Sequence, residues 1–299
     1  MGGERGFALV VVLLVTALLV SVVVEFVYAV YVSTSMVANY RDSQRASVLA
    51  ATGVEMAQAA IEILDRTDPY RVTGGGGIYY AKSDEDTVLE LRITDESSRV
   101  SLAVVYPATG AVNNRVHDVY SRLLSILGRD PELVETLADW IDVDDEPRLS
   151  GAETYDYYAT LPDPYRPRNA MPVSVDELYM IKGYTPEVVR TIKPFVTVYG
   201  DGLVNINRAG KEVLMALSGD MDESLAERII EYRASTPFRD RADVMKVPGF
   251  ETIGFSLQDR IKVRGDTFRV FSRATAGDAV REVEAVIRLG GGVLYWREG

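Results

Sequence analysis

FALVVVLLVTALLVSVVV, residues 7–24, contains no charged residue and predicts a membrane-spanning helix. As a helix this segment would be about 27 Å long, close to the hydrocarbon thickness of a bilayer. Residues 25–65 continue with apolar side chains at helical spacing, with no proline and one glycine, Gly53. We therefore predict a single helix over residues 7–66, apolar all round in its first half and amphipathic in its second. The predicted buried stripe of the second half is Val48, Ala51, Val54, Ala57, Ala60, Ile61 and Leu64.

The residues before the apolar segment indicate its orientation. Only MGGERG precedes Phe7, and the basic Arg5 favours a cytoplasmic location for this end. No small-residue cleavage site follows the apolar stretch, in contrast to a secretory signal peptide. The chain is thus predicted to cross one membrane once and to place its C-terminal bulk on the far side.

The composition limits the chemistry that the chain can carry. Of its 299 residues 47% are apolar and 25% charged, which excludes a polytopic membrane protein and a disordered chain. A net charge of -12 argues against nucleic acid as a partner, since duplex binding requires a concentrated basic face. With no cysteine and one histidine, His117, thiolate and multi-histidine metal sites are excluded. We predict no enzymatic activity, because no spacing of carboxylates distinguishes a catalytic pair from a metal cluster.

Strand-like patterns flank a long helical block in the rest of the chain. Thr87–Thr94 and Arg99–Tyr106 predict strands before the block, and three short strands separated by glycine-containing turns are predicted after it. This arrangement predicts an α+β fold in which the long N-terminal helix packs on a small antiparallel sheet, with a large all-helical domain inserted between strands. The predicted segments are the leader 1–6, the helix 7–66, the first sheet part 67–112, the insert 113–263 and the C-terminal strands 264–299.

The start of the apolar segment resembles the leader of type IV pilin precursors. In that class a prepilin peptidase cuts after a glycine and methylates the next residue, so the resemblance implies cleavage after Gly6 and methylation of Phe7. The class usually has a glutamate at the fifth residue after the cut, which pairs with a neighbouring subunit in the fibre; this chain has Val11 there. A buried unpaired carboxylate is costly, and a subunit with nothing above it needs none. Val11 therefore suits a subunit at the tip.

Several stretches of the helical block resemble one family within this class. They are DWIDVDDEP at 139–147, Gly151-Ala152-Glu153, PYRPRN at 164–169 and VNINRA at 204–209. They are similar to the K-type minor pseudopilin of the type II secretion system (general secretion pathway protein K). The resemblance implies a bacterial inner-membrane protein with its bulk in the periplasm. It also implies a subunit that assembles with other minor pseudopilins to initiate and cap a fibre that drives protein export across the outer membrane, with prepilin peptidase and secreted proteins as further partners.

An acidic loop is the candidate metal site of the sequence. Seven carboxylates and one basic residue, Arg148, lie between positions 139 and 156, and closely spaced hard oxygen ligands suit calcium. The loop is not an EF-hand, because Pro147 replaces the glycine that such a loop needs for its turn. The alternative is a solvated acidic loop. The family resemblance implies bound calcium, which we assign to Asp142, Asp144, Asp145, Glu153 and Asp156.

Two other functions remain open at this level. Residues 204–250 resemble the helix-hairpin-helix repeats of DNA-uptake receptors, but three carboxylates occupy the first hairpin, Ser218–Glu223, where a phosphate would lie. We therefore interpret these residues as a packing unit without nucleic-acid binding. The alternatives are a minor pilin of a twitching or DNA-uptake pilus, and a membrane-tethered helix-hairpin-helix DNA receptor.

Overall fold

The long N-terminal helix is a single continuous element. In this computed structural model, which describes residues 3–70, 78–84 and 86–299, α1 extends over Gly3–Thr67. It is the one helix in the described residues that is long and apolar enough to cross a membrane, and its most apolar segment is not buried by the rest of the chain. The predicted helix, including its end before Asp68-Pro69, is confirmed.

Nine strands and six further α-helices follow α1 in the described residues. The strands are β1 (Ile78–Asp84), β2 (Thr87–Asp95), β3 (Val100–Ser101), β4 (Val196–Thr197), β5 (Val204–Asn205), β6 (Ile261–Lys262), β7 (Thr267–Ala276), β8 (Ala279–Arg288) and β9 (Gly292–Glu298). The helices are α2 (Asn114–Ile126), α3 (Leu133–Ile141), α4 (Pro186–Ile192), α5 (Lys211–Ala216), α6 (Glu223–Ser235) and α7 (Gly254–Leu257). Short 3-10 helices cover Glu96–Ser98, Tyr158–Thr160, Val175–Met180, Lys193–Phe195 and Arg241–Lys246.

The amphipathic half of α1 packs on one face of a five-stranded antiparallel sheet. The strand order is β1-β2-β7-β8-β9, so β2 and β7 are neighbours although the inserted domain separates them in sequence. Alternation along the strands turns Leu91, Val270 and Ala285 toward α1, where they form one core with helix residues. The predicted α+β class and C-terminal meander are confirmed. The buried helix residues are Ala46, Ala50, Gly53, Val54, Ala57 and Ile61. Of the predicted stripe, Ala51, Ala60 and Leu64 are half-buried and Val48 is exposed.

The inserted domain has its own, larger core. Trp140, Tyr120 and Tyr158 are among its fully buried side chains, and helices α2 to α6 contribute to it. Two short parallel strand pairs, β3 with β4 and β5 with β6, also occur there. The prediction that the insert is all-helical is therefore wrong. Two-residue strands are too short to produce an alternating pattern in sequence.

The strand predicted at Arg99–Tyr106 is largely wrong. Only Val100–Ser101 forms a strand, and its partner is β4 of the inserted domain rather than the five-stranded sheet. Leu102, Val104 and Val105 are buried in the core of the inserted domain. Their apolar spacing reflects burial between helices, which a short apolar run does not distinguish from a strand.

The insert lies at the end of the sheet that is farthest from the membrane-spanning half of α1. It leaves β2 after Asp95 and returns at β7, and near this end Arg264 forms an ion pair with Asp65 at 2.6 Å. At the opposite end of the sheet, a Cβ on Gly277 would meet the carboxylate of Asp42. The inserted domain is therefore attached beside the C-terminal end of α1.

Candidate metal centre

Helix α3 carries two acidic residues into the protein interior. Every residue of this short helix except Glu135 is buried, because it is packed on several sides within the insert. Asp139 lies in its last turn and Asp142 is its C-cap, and a spacing of three residues places them on the same side. Trp140, between them, donates a hydrogen bond from Nε1 to Glu177 at 2.9 Å and packs on Tyr158, which fixes the orientation of the helix end.

Three carboxylates converge at this end of α3, and we call them the acidic centre: Asp139, Asp142 and Glu153. One oxygen of each lies within 4.8 Å of the others, and the residues are 0%, 1% and 1% exposed, respectively. The acidic centre is the one such group of metal-ligating side chains in the part of the chain that the structure describes.

Arg148 neutralises part of the acidic centre. Its Nη1 donates to Asp139 Oδ1 at 2.5 Å and to Asp142 Oδ2 at 2.6 Å, and its Nη2 donates to the carbonyl of Gly110 at 3.0 Å. Backbone N–H groups of Arg148 and Ala152 also donate to Asp139, at 3.1 and 2.8 Å. Both carboxylate oxygens of Asp139 thus accept hydrogen bonds from other groups of the protein. One guanidinium against three carboxylates leaves two negative charges when all three are ionised.

The other two carboxylates have oxygens without a hydrogen-bond partner. Oδ1 of Asp142 and both oxygens of Glu153 are buried and unpaired among the described residues. Burial raises the pKa of Asp142 to about 6 and, together with the charges of Asp139 and Asp142, raises the pKa of Glu153 to about 8. Burial also raises the pKa of Asp139. Buried acceptors are normally satisfied, so these oxygens fit a bound cation.

Two glycines allow the backbone to approach the acidic centre closely. A Cβ on Gly151 would lie 1.8 Å from Asp139 Oδ2, so no other residue fits there without displacing the carboxylate. Gly110 has a φ of +63°, and its Cβ would lie 3.1 Å from Asp144 Oδ2 and 3.4 Å from Asp142 Oδ2. The acidic centre is therefore enclosed by backbone rather than by side chains on these sides.

The structure brings together only part of the predicted ligand set. Asp142 and Glu153 meet in the acidic centre, whereas Asp144, Asp145 and Asp156 are exposed and lie outside the group of oxygens within 4.8 Å. Asp144 accepts a hydrogen bond from the N–H of Glu146 at 3.0 Å, Asp156 accepts one from the N–H of Glu153 at 2.6 Å, and Thr154 donates to Asp145 at 3.4 Å. These bonds shape the loop around the buried carboxylates.

Asp139 is the member of the acidic centre that the sequence assignment missed. Its spacing from Asp142 is the signal that could have found it, because residues three apart on a helix point the same way. His117 lies beside this region: its Nε2 is 3.0 Å from Glu135 Oε1, and the other oxygen of Glu135 is 3.7 Å from Arg148 Nε.

The residues of the predicted leader junction lie at the start of α1. Gly6 is within the helix, and Phe7 and Val11 are 73% and 43% exposed, among apolar neighbours that are also exposed. The apolar surface around Val11 thus has no partner among the residues that the structure describes.

The hairpin-like segment after β5 packs into the core of the insert. Helices α5 and α6 contact each other, and Lys211 at the start of α5 forms an ion pair with Glu223 at the start of α6. Asp222 caps α6 by accepting a hydrogen bond from Leu225 N at 2.8 Å. Carboxylates thus cap this turn and neutralise a nearby lysine.

Family models and relatives agree on one assignment. Two models, both described as type II secretion system (T2SS), protein K, match residues 98–201 and 204–264, together more than half of the chain. The type II secretion system protein K of Klebsiella pneumoniae is 26% identical over 329 aligned residues, which cover 99% of this chain and 97% of that protein. The protein of the same name from Pseudomonas aeruginosa is 28% identical over 259 residues, covering 82% and 77%.

A solved structure has the same fold. It is the GspK-GspI-GspJ complex from the enterotoxigenic Escherichia coli type 2 secretion system, one chain of which matches with a TM-score of 0.74 at 17% identity. The match covers 88% of this chain and 99% of that one. From the two family models, the chain belongs to the type II secretion system protein K family.

Proposed function

We propose that this chain is a minor pseudopilin of a type II secretion system, and that it initiates and caps a periplasmic fibre that drives protein export. The observation that carries the proposal is the combination of an exposed apolar helix with a large domain at its far end. The apolar half of α1 holds the subunit in the inner membrane and later packs against equivalent helices in the fibre. The inserted domain, attached beside the C-terminal end of α1, hinders addition of another subunit above it.

The partners that we propose are other minor pseudopilins, prepilin peptidase and, at the tip, secreted proteins. The complex of the solved relative contains GspK, GspI and GspJ, which supports a hetero-oligomer for this chain as well. The role is structural rather than enzymatic. We expect no nucleic-acid binding, and a duplex-binding assay at low salt with submicromolar affinity would instead favour the DNA-receptor alternative.

Three measurements test the proposed class, the partners and the place of the chain in the fibre. Mass spectrometry of the assembled protein should find an N-terminus at Phe7 carrying a methyl group, and residues 1–6 still attached would contradict the prepilin class. Copurification with other minor pseudopilins of the same secretion system would support the partner assignment. Cross-linking in the assembled fibre should place this chain at one end only, whereas repetition along the shaft would contradict the cap.

Val11 provides a variant that tests the tip position. A glutamate at this position would place a carboxylate in an apolar helix bundle without a subunit above to neutralise it. We expect Val11→Glu to lower secretion or leave it unchanged, with Val12→Glu as a control for a carboxylate elsewhere in the segment. An improvement of fibre assembly specific to Val11→Glu would contradict the tip assignment.

We further propose that the acidic centre binds calcium. The unpaired oxygens of Asp142 and Glu153 are hard donors, and the ionised acidic centre carries two negative charges beyond the one that Arg148 compensates. Both features suit a divalent cation of this type. Asp142 and Glu153 would supply ligands directly, and Asp139 and Arg148 would hold them in place. The bound ion would cross-link the end of α3 to the loop that carries Glu153.

Thermal unfolding with and without calcium tests this site. Calcium should stabilise the full chain by about 2.7 kcal/mol when the free ion is about 100 times its Kd, since only the folded protein has the site. Asp142→Asn and Glu153→Gln should remove most of this gain, while Asp220→Asn, an exposed acid in another loop, should not. An equal melting temperature in millimolar calcium and in chelator would contradict the proposal.

A further inference from the structure

A cationic cleft separates the outer face of the sheet from the inserted domain. Its volume is about 220 Å³, and its floor is formed by side chains of β2, β7, β8 and β9 that point away from α1. Lys193 and Asp176 of the insert lie opposite this floor, and Tyr199 and Tyr295 also line the cleft. We call this space the junction cleft.

The charges of the junction cleft do not balance. Three arginines, Arg99, Arg269 and Arg297, share two carboxylates: Glu96 lies 3.1 Å from Arg99 and 2.7 Å from Arg269, and Glu284 pairs with Arg269 and Arg297. On the opposite wall Lys193 and Asp176 form a neutral pair. One positive charge of the arginine network is left over, on a chain whose net charge is -12.

Arg92 adds a second uncompensated charge. Its guanidinium carbon lies 4.6 Å from the centre of the Phe271 ring, and it forms no ion pair within the described residues. Stacking on an aromatic ring fixes a guanidinium while leaving its N–H donors available. Burial lowers the pKa of Arg99, and the nearby Arg269 and Arg92 charges lower it further. An anion in the junction cleft would relieve this repulsion.

The junction cleft continues into a wider groove over the sheet. The groove has a volume of about 670 Å³ and shares Arg92 and Phe271 with the cleft, and Tyr79 and Tyr80 of β1 line its far side. A single inorganic anion would fill only the cleft and leave this aromatic groove empty. An extended peptide would fill both, with its carboxylates toward the arginines and its apolar side chains on the rings.

We infer that the junction cleft and its adjoining groove bind an acidic peptide segment of a partner protein, with Arg92 as a direct carboxylate ligand. The groove also carries Glu90, Arg273 and Glu282, so the two uncompensated positive charges belong to the cleft alone. They match two carboxylates of the peptide there, and its uncharged aromatic side chains lie in the groove. Tyr199 and Tyr295, whose hydroxyls donate no hydrogen bond to any described residue, offer further donors in the lining of the cleft. This site lies on the outer face of the sheet and does not depend on where the chain stands in the fibre.

Fluorescence anisotropy with the full chain in detergent tests the site directly. The probe is a labelled peptide about ten residues long with two Asp residues in one half and Tyr residues in the other, and the matched peptide has Asn in place of Asp. We expect the acidic peptide to bind about tenfold more tightly than the neutral one at low salt, and less tightly as salt is raised. Equal binding of the two peptides, or no binding of either, would overturn the inference.

Arg92→Gln identifies the residue responsible. Because Arg92 is exposed and makes no ion pair, the variant should keep the melting temperature of the parent chain while raising the Kd of the acidic peptide about fivefold to tenfold. Arg288→Gln, an exposed strand arginine outside the cleft, should leave the Kd unchanged. Unchanged affinity in Arg92→Gln would overturn the assignment.

Displacement of the peptide by millimolar phosphate, but not by chloride of equal ionic strength, would identify a phosphate site instead. That result would also contradict the proposed peptide site.

Discussion

Glu153 is the residue whose protonation should respond most directly to the state of the acidic centre. Its carboxylate is buried beside Asp139 and Asp142, and these surroundings raise its pKa from 4.5 to about 8. A folded-state pKa above the unfolded value means that the native protein holds the proton more tightly. This contribution to stability is present at low pH and is lost as the pH rises through the folded-state pKa.

We therefore predict that the calcium-free protein loses stability between pH 4.5 and about 8, the window of the Glu153 shift. Melting temperatures in chelator should fall across this range, and calcium should restore stability most at its upper end, where Glu153 is ionised. Glu153→Gln should flatten the profile, whereas Asp220→Asn should keep it. A profile in chelator that does not change on Glu153→Gln would contradict the assigned pKa and burial.

Only some residues of the acidic centre could be predicted from the sequence. Asp142 and Glu153 could be predicted because acidic residues cluster in the loop that the family resemblance singles out. Their separation from Asp144, Asp145 and Asp156 could not, because all five lie in one acidic stretch and only the fold decides which carboxylates turn inward. Burial is a property of tertiary packing and leaves no local signal in an irregular loop.

At the scale of elements, the contact of α1 with β7 depends on one glycine. Gly53 lies where the helix approaches the sheet most closely, and a Cβ there would be 2.2 Å from Ser272 Oγ and 2.7 Å from Leu91 Cδ2. Glycine inside a helix costs roughly 0.5–1 kcal/mol relative to alanine, so its presence requires a packing reason. Ser272 Oγ is itself buried without a hydrogen-bond partner among the described residues.

Gly53→Ala should consequently destabilise the protein despite its higher helix propensity. We expect a loss of about 1–3 kcal/mol in the free energy of unfolding, because the added methyl group overpacks the interface. Ser272→Ala should be nearly neutral alone and should restore part of the stability when combined with Gly53→Ala. The exposed Glu55→Ala is the control for helix propensity, and a stabilising Gly53→Ala would contradict the close approach.

The elements differ in how well their sequence reveals them. The C-terminal meander could be predicted because each strand alternates and its neighbours follow directly in sequence, joined by turns at Gly277 and around Gly290. The segment Arg99–Tyr106 could not, because its partner strand β4 begins only at Val196 and its apolar residues enter the core of the insert. Long-range pairing of this kind is invisible to a local pattern.

At the scale of the whole molecule, two separate cores are joined through a polar junction centred on Glu96. Its carboxylate accepts hydrogen bonds from Thr197 of the insert and from Arg99 and Arg269, although it is only 1% exposed. Nearby, Asn205 of β5 donates to Asp95 at the end of β2 at 2.7 Å. Although burial opposes ionisation, Arg99 and Arg269 hold the pKa of Glu96 below its ordinary value.

Glu96→Gln should accordingly weaken the attachment of the insert to the sheet. Removing the Glu96 carboxylate leaves Arg99 without its ion-pair partner and Arg269 with Glu284 alone, and we expect a loss of about 3 kcal/mol in the free energy of unfolding. Because Glu96 connects Thr197 of the insert to Arg269 of the five-stranded sheet, thermal unfolding of the variant should also separate into two transitions, one for each core. Glu282→Gln, which removes the exposed 3.5 Å pair with Arg273, should cost less than about 1 kcal/mol and keep the parent's unfolding profile. If both variants instead behaved alike, the junction would contribute no more than a surface ion pair, and the position of the insert would have to be fixed by other contacts.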